Sequence, residues 1–396
     1  MIKRALEQKL RYAAKKYPVI TLTGPRQSGK TTLLKYIFPD YDYVSLEDPD
    51  SRKYAYDDPR GFLSQYRKGV IIDEAQRVPD LFSYMQGIVD AEKINGMFIL
   101  SGSQNFLLLQ SISQSLAGRA SIFYLMPFTK RELEGEKPLE LNTADLERRS
   151  NKDEFEIYKS IHTGFYPRIH DKNLEPQEWL SDYFQLYVQR DVRSIINVGD
   201  INLFTDFVKL CAGRVGQLLN LSSLAADCGI SNMTAQRWLS ILEISFITYR
   251  HHPYHKNYSK RIIKSPKLYF YDSGLLCYLL GIKKPEDIRQ SPYKGNIFES
   301  FVISEFIKSA YNRKELPYLY FWRDSTGHEV DMIIEDGQNL IPVEIKSGET
   351  FSSSFLDGLN YFINLSGVDA NDAFLIYGGK QKMKYKGISV LPSSMI

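Results

Sequence analysis

The stretch Val19-Ile-Thr-Leu-Thr-Gly-Pro-Arg-Gln-Ser-Gly-Lys-Thr-Thr32 combines a β-branched run, a glycine-rich turn and the start of a helical pattern. Its central part fits G-x-x-x-x-G-K-[ST] at every fixed position, the pattern of a phosphate-binding loop between a strand and a helix. The glycines let the backbone wrap a phosphate chain, so that N–H groups and the helix N-terminus face the anion. The predicted nucleotide-binding residues of this loop are Gly24, Pro25, Arg26, Gln27, Ser28, Gly29, Lys30, Thr31 and Thr32.

Two charged or polar groups in this loop and a later acidic pair predict ATP chemistry. Lys30 would bridge the β- and γ-phosphates, and the Thr31 hydroxyl would hold Mg²⁺. Further along, Val70-Ile-Ile-Asp-Glu74 predicts a buried strand that ends in two carboxylates. We assign Asp73 to the Mg²⁺ shell and Glu74 to the attacking water; an acidic pair that is merely solvated is the alternative. The two motifs together predict a Mg²⁺-dependent enzyme that binds and hydrolyses ATP.

Two more side chains are candidates for contact with the γ-phosphate. Gln104 follows the next predicted strand, in Ser101-Gly-Ser-Gln, where a polar group would sense the phosphate or the water; a simple strand-end turn is the alternative. Arg119 lies between a helix and the following strand. Ring-forming ATPases commonly present an arginine from this position to the neighbouring subunit's nucleotide, where its charge stabilises the transition state. A surface arginine on a loop is the alternative.

Length and composition limit the class of protein. The chain has 396 residues, of which 43% are hydrophobic and 24% charged, with a net charge of +3, so it is not a disordered chain. This length predicts two or three domains, each large enough to bury its own core. No apolar run approaches the roughly 20 residues that span a bilayer, and the N-terminus predicts an amphipathic helix rather than a secretory signal. Cys211, Cys228 and Cys277 suit neither a disulfide framework nor a zinc site, so we expect a cytoplasmic protein without a membrane partner.

The distribution of apolar runs predicts three units. In residues 1–130, short β-rich runs alternate with helical patterns, which is typical of a parallel α/β sheet. These runs are Val19–Thr23, Tyr43–Leu46, Val70–Ile72, Met97–Leu100 and Ser121–Met126. Strands are also predicted in the last hundred residues, at 318–321, 329–334, 340–345 and 373–377. Exposed polar connections are expected at 134–155 and 283–295. The predicted domains are an ATPase at 1–135, a helical region at 136–285 and a second α/β domain at 286–396.

Residues 221–242 predict a helix-turn-helix. Leu224 and Ala225 would face the core, Gly229 would make the turn, and Ser231 would cap the second helix. Residues 250–271 follow with six basic and no acidic residues, which favours the basic hairpin of a winged helix that contacts phosphates. The six are Arg250, Lys256, Lys260, Arg261, Lys264 and Lys267. The residues predicted to contact DNA are Asn232, Gln236, Arg237, Lys256, Lys260, Arg261 and Lys264. A lid or a protein-contact module is the alternative.

Four residues of the last unit suggest a metal-dependent phosphodiesterase site. Glu299 lies in a predicted helix, Asp331 in one strand, and Glu344 and Lys346 in the next, where strand alternation puts the last two on one face. Carboxylates in a cleft suit a second Mg²⁺ or Mn²⁺, and the lysine would polarise water or stabilise the phosphate. This arrangement resembles the PD-(D/E)xK nuclease superfamily, with Val330 in place of its proline. Structural charges on a fold that no longer cuts are the alternative.

The chain as a whole resembles the bacterial and archaeal AAA ATPases that carry a C-terminal nuclease-like domain of unknown function. The similarity covers nearly the full length and rests on GPRQSGKTT at 24–32, IIDEAQRVPDLF at 71–82, LAGRASIFYLMPF at 116–128, YVQRDV at 187–192, LYFYDSGL at 268–275, EVDMII at 329–334 and PVEIKSG at 342–348. The resemblance implies an α/β P-loop AAA module, a winged-helix middle and a PD-(D/E)xK-like end, in a homo-oligomer such as a hexameric ring.

The preferred function is an ATPase that binds and remodels duplex or branched DNA. Two alternatives remain open at this point. One is a metal-dependent endonuclease that its ATPase gates, and the other is an ATP-switched, non-catalytic regulator that binds DNA or a protein.

Overall fold

The first sheet contains five parallel strands in the order β2-β3-β4-β1-β5. The computed structural model describes residues 2–103, 108, 112, 114–140, 142–147, 156–187, 201–255 and 264–396. The strands are β1 Val19–Thr23, β2 Asp42–Ser45, β3 Val70–Asp73, β4 Phe98–Gly102 and β5 Ala120–Tyr124. The predicted parallel α/β sheet is therefore confirmed, and each strand lies within two residues of its predicted bounds at either end.

Helices cover both faces of this sheet. They are α1 Glu7–Ala14, α2 Lys30–Ile37, α3 Pro49–Asp57, α4 Pro59–Ser64 and α5 Leu81–Glu92. Val19 packs with α3, α4 and α5, whereas Ile20 and Leu22 pack with α1 and α2. Since side chains alternate along a strand, the continuous apolar run of β1 fills two separate cores, as is usual for a strand inside a parallel sheet.

The middle of the chain is mainly helical and ends in a short antiparallel hairpin. Its helices are α6 Lys130–Leu133, α7 Thr143–Glu147, α8 Ile157–Thr163, α9 Pro167–Lys172, α10 Pro176–Tyr187, α11 Ile201–Gly213, α12 Leu221–Cys228 and α13 Asn232–Ile244. The hairpin pairs β6 Thr248–His251 with β7 Lys267–Phe270. Between α12 and α13, Gly229 has a φ of +70°, and the Ser231 side chain accepts the backbone N–H of Thr234. Leu224 and Ala225 are buried.

The last part of the chain forms a six-stranded mixed sheet with the order β12-β13-β11-β10-β9-β8. Its strands are β8 Leu319–Arg323, β9 Glu329–Asp336, β10 Asn339–Lys346, β11 Phe374–Tyr377, β12 Met383–Tyr385 and β13 Ile388–Pro392. The accompanying helices are α14 Ser273–Leu279, α15 Pro285–Gln290, α16 Lys294–Asn312 and α17 Asp357–Ser366. The sequence did not predict β12 and β13. The supposed connection 283–295 contains α15, because Ile288 is buried and anchors it.

The middle and the last part share one apolar core. This core extends from Met126 to Ile396, and α16 contributes to it along most of its length. The last part also has a separate core of its own, to which Val330, Leu359 and Phe362 belong. Among the described residues, no helix is long and apolar enough to cross a membrane.

Buried charges attach α16 to the segment that follows β5. Lys308 Nζ donates to the Phe128 carbonyl at 3.0 Å and pairs with Glu305, and both charged side chains are almost fully buried. Glu305 Oε2 in turn accepts the backbone N–H of Lys130 at 2.8 Å. Lys130 Nζ donates to the Ile396 carbonyl at 3.2 Å. Removing one partner of a buried pair leaves an uncompensated charge, which makes this joint sensitive to single substitutions.

We expect Lys308→Met to lower stability by about 3–5 kcal/mol, because Glu305 would remain buried without its cation. Adding Glu305→Gln removes that charge but keeps an acceptor for Lys130, so the double variant should melt at a higher temperature than Lys308→Met alone. Exposed Lys283→Met is the matched control and should shift stability by less than about 0.5 kcal/mol. Thermal unfolding followed by circular dichroism measures all three. Melting of Lys308→Met at the wild-type temperature would contradict a stabilising role for the pair.

Candidate nucleotide-binding site

The predicted phosphate-binding loop joins β1 to α2, as the sequence indicates. Gly24 has a φ of +147°, and a Cβ at this position would lie 2.2 Å from the Leu125 carbonyl oxygen. Only glycine therefore lets the loop pass the end of β5. Gly29 has a φ of +89° and immediately precedes α2, so the loop leads directly into the N-terminus of the helix.

The side chain of Lys30 folds back over the loop that precedes it. Its ammonium donates to the carbonyl oxygens of Gly24 at 2.9 Å and Pro25 at 2.7 Å, and the residue is buried. These contacts hold a positive charge inside the turn that the motif assigns to phosphate. A lysine ammonium and a helix N-terminus are both features that favour a bound anion.

Asp73, at the end of β3, is the centre of a hydrogen-bond cluster. Its Oδ2 accepts the Thr31 hydroxyl at 2.7 Å and the Tyr43 hydroxyl at 3.1 Å, and its Oδ1 accepts the Ser101 hydroxyl. Burial and the neighbouring Asp73 charge raise the pKa of Tyr43 to about 12, so the phenol keeps its proton. The carboxylate and the Thr31 hydroxyl are hard oxygen ligands of the type that Mg²⁺ prefers. Thr31 and Asp73 are therefore brought together, and their chemistry fits the predicted metal.

Tyr43 and Ser101 were not among the candidate residues. Tyr43 lies in β2 and Ser101 near the end of β4, the two strands that pair with β3, and Ser101 is directly in register with Asp73. Ser101 belongs to the strand-end stretch that was quoted for Gln104, whereas no local sequence signal points to Tyr43.

Glu74 occupies a restrained position next to Asp73. Its backbone has a φ of +53°, in the left-handed region, which is costly for a residue with a Cβ. Gln76 Nε2 donates to its Oε2 at 2.5 Å, and the Ser103 hydroxyl donates to its Oε1 at 3.0 Å. The carboxylate predicted to act on water is thus fixed by two side chains, neither of which was among the predicted site residues. Gln104 lies outside the described residues.

Arg119 is far from the phosphate loop of its own chain. It immediately precedes β5, whereas the loop follows β1, and these two strands are parallel. A strand of five residues is about 16 Å long, and this length separates the end of the sheet near Arg119 from the end near the loop. The guanidinium forms a two-pronged ion pair with Asp90, at 2.6 and 2.8 Å. Any contact of Arg119 with nucleotide therefore has to involve a second copy of the chain.

A buried arginine from the N-terminal segment supports the loop from behind. Arg4 donates to the carbonyl oxygens of Ser28 at 3.0 Å and Met126 at 2.7 Å, and to the Glu132 carboxylate at 3.0 Å. Its guanidinium carbon also lies 4.5 Å from the centre of the Phe128 ring. Arg4 thus connects the loop to the end of β5, a role that the sequence analysis missed.

The helical middle also borders the loop. Pro167, the first residue of α9, has its Cγ 3.9 Å from the position that a Cβ on Gly29 would take. The next residue, Arg168, is exposed. Sequence reasoning missed Pro167, because it is distant in the chain from the motif that it approaches.

The predicted DNA-binding residues are only partly described. Asn232, Gln236 and Arg237 are exposed on α13, and Lys264 is exposed before β7. Three others lie outside the described residues: Lys256, Lys260 and Arg261. Arg250 pairs with Glu243 through contacts of 2.5 and 2.7 Å.

Lys267 corrects the prediction of a uniformly exposed basic hairpin. It was counted with the phosphate-contacting lysines, but it is only 4% exposed. Its ammonium lies 3.2 Å from Glu299 Oε1 and also pairs with Glu329. A lysine in this position is unavailable to a DNA backbone.

The four candidate residues of the last unit are close together, and we call Glu299, Asp331, Glu344 and Lys346 the C-terminal cluster. Lys346 Nζ lies 3.6 Å from Asp331 Oδ2 and pairs with Glu344. Asp331 Oδ2 also accepts the backbone N–H of Ile345 at 2.8 Å. Burial raises the pKa of Glu299 to about 7, against the opposing effect of the nearby lysine ammonium. Burial and the Asp331 charge also raise the pKa of Glu344.

Family models match three consecutive parts of the chain. Residues 16–134 match the model described as AAA domain. This match supports an AAA-type ATPase. Residues 154–286 match a domain of unknown function (DUF8612), and residues 294–396 match another domain of unknown function (DUF4143).

Similar proteins occur in bacteria. An uncharacterized protein of Mycobacterium tuberculosis is 29% identical over 356 residues, which cover 89% of this chain and 75% of the relative. An uncharacterized protein of Haemophilus influenzae is 22% identical over 386 residues, covering 85% and 91%. The similarity to both relatives thus extends well beyond the AAA domain.

Among solved structures, the Walker-type ATPase PABY2304 of Pyrococcus abyssi has 15% identity and a TM-score of 0.38, covering 70% of this chain and 96% of that one. The RuvB Holliday junction branch migration motor of Thermotoga maritima has 17% identity and a TM-score of 0.31, covering 62% and 86%. These scores are too low to establish a shared overall fold.

We expect Lys30→Ala to weaken binding of a fluorescent ATP analogue by about ten- to hundredfold, the value of one or more charge-assisted hydrogen bonds. Lys53→Ala, an exposed lysine on α3, is the matched control and should bind as the wild type does. Fluorescence anisotropy of the titrated analogue measures both. Equal affinity of wild type and Lys30→Ala would contradict the assignment of the loop.

Proposed function

We propose that the chain is a Mg²⁺-dependent, AAA-type ATP hydrolase. The observation that carries this proposal is the contact between the loop residue Thr31 and the strand-end carboxylate of Asp73. It joins the two halves of a nucleotide site, the phosphate cradle and the acidic pair, at one edge of the parallel sheet. Ligands bind at this edge in open α/β folds, outside the carboxyl ends of the strands.

Each residue of the site then has a definite task. Lys30 would bind the β- and γ-phosphates in place of the carbonyl oxygens of its own loop, and Thr31 and Asp73 would hold Mg²⁺. When bound, the ion neutralises charge that develops on the phosphate oxygens. Glu74, fixed by Gln76 and Ser103, orients or deprotonates the water.

Glu74→Gln should slow phosphate release by at least about 100-fold, because the amide cannot take a proton from water. Nucleotide binding should persist, since Lys30, Thr31 and Asp73 are unchanged. Single-turnover hydrolysis of radiolabelled ATP, with retention of ATP on a filter, measures both effects. Glu92→Gln, an exposed glutamate at the end of α5, is the control. Hydrolysis by Glu74→Gln at the wild-type rate would remove Glu74 from the mechanism.

We further propose that Arg119 serves the nucleotide of a neighbouring copy in a homo-oligomer, such as a hexameric ring. Its distance from its own loop supports action between subunits, and its charge suits a γ-phosphate in the transition state. In that assembly the arginine has to exchange Asp90 for phosphate.

Arg119→Ala should reduce turnover by at least about tenfold without weakening nucleotide binding, since the charge acts mainly in the transition state. Mixed with Lys30→Ala, it should regain part of the activity, because each variant supplies what the other lacks. Phosphate release from the separate and mixed variants tests this. An enzyme that turns over as a monomer at saturating ATP would contradict action between subunits.

DNA is the proposed partner of the middle unit. Helix α13 follows α12 after a tight turn, as in a winged helix, and it exposes Asn232, Gln236 and Arg237. A helix in this position presents its N-terminal residues to a major groove. Remodelling of duplex or branched DNA is then the work that ATP hydrolysis drives.

Arg237→Ala combined with Lys264→Ala should weaken duplex binding. The plot of the logarithm of the binding constant against the logarithm of the salt concentration should also become less steep, by about one for each phosphate that is no longer neutralised. The matched control, Lys53→Ala with Arg60→Ala, removes two exposed cations from the AAA domain. Anisotropy of labelled duplex, single-stranded and four-way-junction DNA, with ATPase rates on the same substrates, measures binding and coupling. Unchanged affinity in the first pair would favour a protein-contact module.

A further inference from the structure

The C-terminal cluster receives a cation from a different part of the chain. Lys267 comes from β7 of the middle hairpin, and its ammonium is buried against Glu299 and Glu329. The same ammonium lies 5.4 Å from the centre of the Phe321 ring. A buried lysine whose ammonium pairs with two carboxylates is held in place and does not sample solvent.

The hairpin contributes two more contacts beside Lys267. The Tyr269 hydroxyl donates to Glu299 Oε1, and His251 Nε2 lies 3.3 Å from the Asp331 carbonyl oxygen. The carboxylates of Glu299, Asp331 and Glu329 raise the pKa of Lys267 although burial opposes this. Burial, together with the Lys267 charge, lowers the pKa of His251 to about 3, so the imidazole is neutral at physiological pH.

These contacts leave the cluster a poor divalent-metal site. Two ammonium groups, those of Lys267 and Lys346, already pair with its carboxylates and offset part of their charge, and a hard cation needs several carboxylate oxygens that face one space. In the described part of the chain, no group of three or more His, Cys, Asp or Glu side chains is placed to hold a metal ion. One buried oxygen, Glu344 Oε2, lacks a hydrogen-bond partner, and one free oxygen does not supply a coordination shell. The predicted second Mg²⁺ or Mn²⁺ does not fit these residues.

We infer that Lys267 is the resident cation of the C-terminal cluster, where it replaces a divalent metal and fastens the middle hairpin to the last sheet. The cluster then works as a joint between the two parts, and the chain does not cut DNA by metal-dependent chemistry. This inference does not depend on the ATPase, because it concerns residues outside the nucleotide site.

The test is a titration of the whole chain with Mn²⁺ in the absence of nucleotide. Electron paramagnetic resonance measures the Mn²⁺ that stays free in solution. The wild type and Asp331→Asn should bind Mn²⁺ equally, because no saturable site should depend on the C-terminal cluster. Lys267→Met removes the cation at similar volume, so it should bind at least about tenfold more Mn²⁺ through the uncompensated carboxylates. Exposed Lys264→Met is the control and should bind no more than the wild type.

The outcomes separate a lysine-filled joint from a metal site. A saturable Mn²⁺ site in the wild type that Asp331→Asn abolishes would overturn the inference, as would a folded Lys267→Met that binds no more Mn²⁺ than Lys264→Met. Where Lys267→Met fails to fold, the wild-type titration still decides. Lys267→Met combined with Glu299→Gln removes both partners and should melt at a higher temperature than the single variant. A double variant that melts no higher would show that the two side chains are not coupled.

Discussion

The buried contact of Arg4 with Glu132 fixes the phosphate loop in relation to everything that follows it in the chain. One guanidinium binds the Ser28 carbonyl inside the loop, the Met126 carbonyl beyond β5, and the Glu132 carboxylate. Glu132 also closes the capping box of α6 with Thr129. Charge-assisted hydrogen bonds of this kind are directional, so the loop, the end of β5 and the start of α6 have one relative arrangement.

From α6 the same polar network continues to the opposite part of the molecule. The backbone N–H of Lys130 binds Glu305 on α16, and the ammonium of Lys308 binds the Phe128 carbonyl. Because α16 also contains Glu299, one rigid helix touches both the segment behind the nucleotide loop and the C-terminal cluster. The shared apolar core makes this connection stiff, since packed interiors transmit displacement rather than absorb it.

The sequence predicted those features that a short stretch of neighbouring residues determines by itself. The motif around Lys30 and the β-branched run before it indicated the loop, and the run before Asp73 indicated the acidic strand end. Tyr43, which only the strand order brings close to Asp73, has no such signal. Lys267 shows the same limit, because its composition and neighbours suggest an exposed wing, and only tertiary packing reveals that it is buried between carboxylates. The edge strand β12 was missed because only three residues define it.

The central claim is that the loop takes ATP and that the chain hydrolyses it. Its most direct measurement is a calorimetric titration of the full-length protein with ATP and Mg²⁺, followed by phosphate release from the same sample. The account predicts one nucleotide bound for each chain and a release of phosphate that stops when EDTA is added. A protein that is folded by circular dichroism but binds no nucleotide, or that binds it and releases no phosphate with or without DNA, would contradict the account.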